Sequence, residues 1–212
     1  MIAVDGPAAS GKGTLAKRVA QHFGFAYLDT GLIYRAVAAA VIENRGEVGN
    51  QQDVLMTANQ LVPLWLEREN LRSEKVGLAA SSIAEMPLVR KALINFQRSF
   101  ATSPPQGKPG AVLDGRDIGT VICPNADKKI FVDAEISVRA TRRVKELRSH
   151  GLDAIYSRIL QDMRVRDDRD RSRGIAPLAP AIDAFVLDTT DLDAEGTFEA
   201  ALKYILSENK PA

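Results

Sequence analysis

Apolar residues fall along this chain in two rhythms. Five short runs have almost no polar interruption, and each stops at an aspartate: IAV before Asp5, FAYL before Asp29, AVL before Asp114, KIFV before Asp133 and AFVL before Asp188. Brief runs of this kind read as strands buried on both faces. Between them the apolar positions recur at helical spacing, at Leu15, Val19 and Phe23 and again at Val76, Ala80 and Ile83 ahead of Pro87. Strands separated by helical crossovers predict an α/β fold on a five-stranded parallel sheet, with ligands at the carboxyl ends of the strands. The Pro/Gly cluster TSPPQGKPG at 102–110 predicts the loop that returns the chain to the strand at 111. Two long excursions, 36–105 and 148–178, are predicted as insertions into one core built from 1–35, 106–147 and 179–212. Within the first, LVPLWLE is the one candidate strand, interrupted by Pro63, and Trp65 is expected to pack rather than stack on a base.

Composition narrows the class. With 212 residues, 45% of them hydrophobic, there is material for one globular core. A net charge of +1 gives no bulk attraction to a nucleic-acid polymer, so the partner is expected to be small. Cys123 is the single cysteine, which excludes an internal disulfide, and two histidines without companion cysteines give no zinc spacing. The amino terminus enters a strand directly, with no cationic leader, and the longest apolar run, AVAAAVI at 36–42, is too short to span a bilayer. A cytoplasmic protein without membrane attachment is expected.

Chemistry first appears at VDGPAASGKGT. The spacing Gly6-x4-Gly11-Lys12, placed between a predicted strand and an amphipathic helix, matches a phosphate-binding loop. Its members Gly6, Pro7, Ala8, Ala9, Ser10, Gly11, Lys12, Gly13 and Thr14 are the candidate ATP cradle. Glycines leave backbone N–H groups free to point inward, and the following helix adds the positive end of its dipole. Lys12 would reach the outer phosphates, and Thr14 would offer a hydroxyl toward the shell of a Mg2+ ion. A ligand-free glycine turn is the bland alternative. The fold expectation becomes a P-loop NTPase-type three-layer sandwich. GTPases place a serine or threonine directly after the lysine; here Gly13 intervenes, and the pattern G-x-x-x-x-G-K-G-T is similar to nucleoside monophosphate kinases. No base-reading NKxD motif occurs.

Four further blocks sharpen the likeness: LDTGLIYRA at 28–36, AASSIAEMPLVRKAL at 79–93, DGRDIGT at 114–120 and RVRDDRDRSRGIAPL at 164–178. In this order, across essentially the whole chain, they resemble bacterial cytidylate kinases. The resemblance implies transfer of the γ-phosphoryl group of ATP to CMP or dCMP, with Mg2+, by a monomeric enzyme. It makes 36–105 the insertion that binds the acceptor, with its small sheet shortened at 46–72, and 148–178 a lid. It implies that Arg35 and Arg116 hold the acceptor phosphate, with Thr30 and Tyr34 beside them, and that Ser81, Arg90 and Asp117 read the base. Asp170 with Arg166 would contact the ribose, and Arg173 would meet phosphate on closure. Arg143 would lie near the donor, with Arg142 and Arg139 as weaker choices and a surface role for all three the alternative, and backbone near DTTDL at 188–192 with lid arginines is expected to recognise adenine. Asp114 ends an apolar strand, the position of an acidic group near Mg2+ in many phosphate-loop enzymes, directly or through water.

Donor and acceptor arithmetic supports a pyrimidine independently. Cytosine presents an amino donor and two acceptors, which suits a carboxylate or hydroxyl paired with a guanidinium; uracil reverses part of the pattern. Preference for CMP and dCMP over UMP follows as an expectation. The acceptor oxygen is already anionic, so no general base is needed, and Lys12, Arg35, Arg116, Arg166 and Arg173 are the candidate charge-stabilising residues. Alternatives remain: Arg90 as a surface arginine, the arginine-rich segment as a solvated helix face laced with pairs such as Arg166–Asp170, a kinase for UMP, AMP or shikimate, and a nucleotide-dependent switch without fast turnover.

Overall fold

The computed structural model describes residues 1–149 and 151–207. The chain runs β1 (Ile2–Asp5), α1 (Lys12–Phe23), β2 (Ala26–Asp29), α2 (Thr30–Glu43), α3 (Gln51–Ala58), α4 (Glu74–Ile83), α5 (Pro87–Thr102), β3 (Ala111–Gly115), β4 (Lys128–Asp133), α6 (Ile136–Ser149), α7 (Tyr156–Ser172), β5 (Phe185–Asp188) and α8 (Ala194–Leu206). Every apolar run that stops at an aspartate is a strand. All pair in parallel in the order β2-β3-β1-β4-β5.

Alternation within the strands assigns the layers. Ala3, Ala111 and Leu113 face a core shared with α2 to α5, including Ile33, Val37, Ile83 and Leu93. Their neighbours Ile2, Val4, Val112 and Val132 face the opposite way, onto Leu15 and Val19 of α1 and Ala201 of α8. Both faces of the central strands are therefore covered, which explains why their apolar runs have almost no polar interruption. A third cluster joins Ala140, Val144 and Leu147 of α6 to Ile159 and Met163 of α7. It ties the arginine-rich helix to the core.

Local signals set the helix ends. α1 stops at Gly24, whose φ of 66° lets its N–H reach back to Ala20 and Gln21 carbonyls. α5 starts with Pro87, where a missing N–H costs nothing. The same property corrects the reading of LVPLWLE. Val62 is extended, but Pro63 opens a 3₁₀ turn over Pro63–Glu67, followed by another over Glu69–Arg72. Proline can give no ladder hydrogen bond and has its φ fixed for a helical first position, so no strand forms. Trp65 packs against the α2 to α5 core, with the Arg68 guanidinium 4.9 Å from its ring centroid, as expected for a packing residue.

Candidate active site

Asp5, Asp29 and Asp133 end their strands, and Asp114 stands one residue before the end of β3, so four neighbouring strands bring an aspartate to one edge of the sheet. The phosphate loop springs from the central one. A Cβ on Gly6, whose φ is 149°, would meet the Val132 carbonyl oxygen at 2.0 Å, so only glycine lets the loop leave β1 so close to β4. Ala9 and Gly11 also have positive φ, 57° and 93°, and Gly11 is the N-cap of α1. This curls the main chain ahead of the helix, the conformation in which consecutive amides form an anion nest.

Two cavities open at this edge. One of about 650 Å³ is bordered by Ser10 to Leu15, Lys17, Arg142, Thr189 and Leu192 to Ala194. The other, about 230 Å³, is bordered by Lys12, Tyr34, Arg35, Ser81, Arg90, Arg116, Asp117, Arg166, Asp170 and Arg173, together with Thr30, Asp114 and Arg143. Lys12 borders both cavities and stands 3.5 Å from the Pro7 carbonyl. Burial, then the nearby Arg116 guanidinium, pulls its ammonium down to about 8. Such a group gains from an incoming polyanion twice, through attraction and by recovering its proton.

The smaller cavity has a wall of paired charges. Arg90 is 7% exposed, so it is no surface arginine; it donates to the Asp117 carboxylate and, at 3.3 Å, to the Ala84 carbonyl. Arg173 approaches the other Asp117 oxygen at 3.6 Å. Arg116 donates through Nε to Asp170 at 2.9 Å. Burial pushes the Asp117 carboxyl up against the pull of Arg90 and Arg173. The Ser81 hydroxyl, buried beside this wall, has no partner. Tyr34 is buried below, its ring centroid 5.8 Å from the Arg90 guanidinium. Thr30 turns its hydroxyl to the Asp114 carbonyl at 2.8 Å and locks α2 to β3. Arg35 donates to the Leu71 carbonyl at 2.8 Å and lies against Gly77, where a Cβ would come within 2.8 Å of its guanidinium.

The arginine-rich segment is a helix, α7, but its pairing differs from a solvated face. Its buried side runs Ile159, Met163, Asp167, Asp170. Asp170 pairs with Arg116 across 54 residues instead of with Arg166, whose Nε is buried without a partner. Burial, then Arg116, lowers the Arg166 guanidinium to about 10. Asp167 accepts from Arg139 at 2.6 Å, and Arg139 also donates to the Ala8 carbonyl of the phosphate loop at 3.2 Å. Arg139 is thus a buried brace. Arg142 braces the loop after β5 through the Thr189 and Leu192 carbonyls at 2.6 and 3.2 Å, and Arg143 pairs with Glu146 at 2.9 Å while bordering the smaller cavity.

Asp114 accepts from the Tyr27 hydroxyl at 2.8 Å and is the register partner of Asp29 on β2. Burial, then the Asp29 carboxylate, raises it to about 6. Thr14 is exposed and borders the larger cavity. Sequence reasoning passed over Asp5, Asp29, Asp167 and Tyr27 as site residues. The repeated strand-end aspartate was the signal for the first two; nothing in the local sequence marked Asp167, whose partner is 28 residues away.

A family profile described as Cytidylate kinase matches residues 2–207. A cytidylate kinase of Paramagnetospirillum magneticum is 55% identical over 208 residues, covering 98% of this chain and 98% of the relative. One from Rhodospirillum rubrum is 52% identical over 210 residues, with 99% of each chain covered. Among solved structures, an uncharacterised protein from Eubacterium ventriosum shares the fold, with a TM-score of 0.56 at 16% identity and 98% of each chain covered.

Proposed function

The chain belongs to the cytidylate kinase family, and from that premise we propose how its residues divide the phosphorylation of CMP by ATP. The enzyme is a phosphotransferase: the bond from the γ-phosphorus of ATP to its bridging oxygen breaks, an α-phosphate oxygen of CMP or dCMP forms the new bond, and ADP leaves with the bond's electron pair. The acceptor is already an anion, so the protein's work is positioning and charge stabilisation.

In this reading ATP lies along the loop Gly6–Thr14 in the larger cavity, with its outer phosphates at Lys12. CMP occupies the smaller cavity. The supporting observation is that Lys12 borders both cavities, while the second holds a buried guanidinium–carboxylate pair, Arg90 and Asp117, beside the unpartnered Ser81 hydroxyl. That trio offers the donors and acceptors cytosine needs. Arg35 and Arg116 hold the acceptor phosphate, Asp170 and Arg166 the ribose, and Arg173 and Arg166 add charge where the two phosphates meet. The segment 36–105 serves as the acceptor-binding insertion and 148–178 as a lid on the core, excluding water as a competing acceptor.

Mg2+ fits the residues present. The raised Asp114 carboxyl beside Asp29 favours a cation, and the described residues gather no cluster of three or more acidic, His or Cys ligands. An ion held by one or two carboxylates and a hydroxyl, with phosphate oxygens and water completing its shell, suits Mg2+. Thr14 and Asp114 would hold it, directly or through water; when bound it neutralises charge on the donor phosphates. Among the described residues no helix is long and apolar enough to cross a membrane. The near-neutral net charge of +1 accords with no nucleic-acid polymer as partner, and the chain is taken to act as a cytoplasmic monomer.

An acceptor panel tests this reading. With ATP and Mg2+, ADP release is expected with CMP and dCMP and at about 10⁴-fold lower kcat/KM with UMP, because a wrong hydrogen-bond pattern leaves buried polar groups unpaired. AMP and shikimate are expected to be inactive. Comparable turnover of UMP removes the assigned role of Ser81, Arg90 and Asp117, and ATP binding without ADP release in any arm favours a nucleotide switch.

A further inference from the structure

The turn that carries Arg116 and Asp117 is capped from an unexpected place. After β3 the chain makes one π-type turn over Ile118–Ile122, in which Ile122 N–H bonds to the Asp117 carbonyl and Cys123 N–H to that of Ile118. Asp117 stands at the N-cap, where an aspartate side chain ordinarily accepts from the first N–H groups of its own turn. Here it makes no such bond. The Ile118 N–H donates to Asp5 Oδ1 at 2.8 Å and the Gly119 N–H to Asp5 Oδ2 at 2.7 Å. Asp5 lies 113 residues earlier, at the end of β1, and is 5% exposed.

Two consequences follow from this substitution of one carboxylate for another. The Asp117 oxygens are left to Arg90 and Arg173. The acceptor-side turn is also fastened to the residue immediately before Gly6, where the phosphate loop begins. β1 fixes Asp5 on both sides, opposite Gly115 of β3 and Phe131 of β4. A Cβ at Gly119 would sit 3.4 Å from Asp5 Oδ2 and 3.2 Å from Lys129 Cδ, so the turn packs closely on Asp5.

We propose that Asp5 is a positioning residue for the acceptor nucleotide: by capping the turn after β3 from the neighbouring strand, it frees Asp117 to read the base and holds Arg116 in register with the phosphate loop. This rests on the assignment of Arg116 and Asp117 to the CMP site. Asp5 touches no substrate; it acts through the turn.

The test compares Asp5→Asn, Asp5→Ala and Asp117→Asn by steady-state kinetics with CMP, UMP and ATP, with thermal melting to establish that each variant is folded. Asparagine keeps one accepting oxygen and sets an amide donor against the other N–H. It is expected to raise KM for CMP about tenfold, change KM for ATP less than about threefold and narrow the preference for CMP over UMP. Asp5→Ala, which removes both acceptors, is expected to go further in the same direction; if it does not fold, Asp5→Asn decides. A purely structural role would lower the melting temperature and leave the ratio of the two KM values and the base preference unmoved, and that result overturns the proposal. If Asp117→Asn erodes base preference while folded Asp5 variants retain it, the proposal fails and the assignment of the CMP site stands. If none of the three affects it, the assignment fails and the proposal with it.

Discussion

The two walls of the cleft are made of different material. The proposed donor wall is built mainly on main chain: a loop whose shape depends on positive φ at Gly6, Ala9 and Gly11 and whose one charged side chain is Lys12, with Lys17 and Arg142 at the cavity's border. The acceptor wall is side chain: Arg90, Arg116 and Arg173 are each matched to Asp117 or Asp170. A wall of amides recognises phosphate, which is common to every nucleotide, and leaves charge stabilisation to Lys12. A wall of ion pairs can present a base-specific pattern, with Arg90, Arg116 and Arg173 held by carboxylates, while Arg35 is held by backbone carbonyls and the Arg166 Nε is left without a partner.

Perturbations at the two walls should therefore differ in kind. The largest effect is expected at Lys12. Lys12→Ala should lower kcat about 10³-fold, since a preorganised cation in a water-poor site contributes most as charge develops, with little change in melting temperature. A variant within tenfold of the parent would mean that the amides alone stabilise the transferring group. Next comes Arg90→Met, which keeps the stem and leaves the buried Asp117 carboxylate to Arg173 alone, 3.6 Å away. Breaking a buried pair in this way should destabilise the protein by about 3–5 kcal/mol in denaturant titration and reduce preference for CMP over UMP, while KM for ATP stays put. If ATP binding weakened equally, the walls would not be separable.

The smallest effect joins the walls. Because burial and Arg116 hold free Lys12 at about 8, and bound phosphates favour the ammonium, ATP binding should take up a proton and weaken as pH rises through that value. At about pH 8.5 an uptake of about 0.8 proton is expected for full reprotonation. Calorimetry in buffers of different ionisation enthalpy measures it. Lys12→Ala should abolish the uptake, and its persistence there would assign the proton to another group.

This contrast also explains what could be read from the sequence. The donor wall was legible because it depends on residues close together in the chain: glycines at fixed offsets, a strand before and a helix after. The five strands were legible because burial on both faces leaves little room for polar residues. The acceptor wall was legible only through family likeness, since its pairings join residues 27 and 54 positions apart. Arg166 and Asp170 show the limit: one helical turn apart on α7, they look like an i,i+4 pair, yet Asp170 goes to Arg116 because burial of that helix face brings a third residue nearer. LVPLWLE misled for the opposite reason. Its apolar content matched a strand, but Pro63 sets the local backbone, and Leu64, at 69% exposure, gains no core in return. Asp5 ended a strand like the other strand-end aspartates, and nothing in its neighbours showed that it would cap a turn 113 residues away.

A crystal structure of the ternary complex with CMP and a non-hydrolysable ATP analogue tests the division of the cleft most directly. The triphosphate is expected along Gly6–Thr14 and the cytosine among Ser81, Arg90 and Asp117, with the α-phosphate of CMP facing the γ-phosphate across Lys12. A base bound outside that trio, or an acceptor phosphate remote from Arg35 and Arg116, would contradict it.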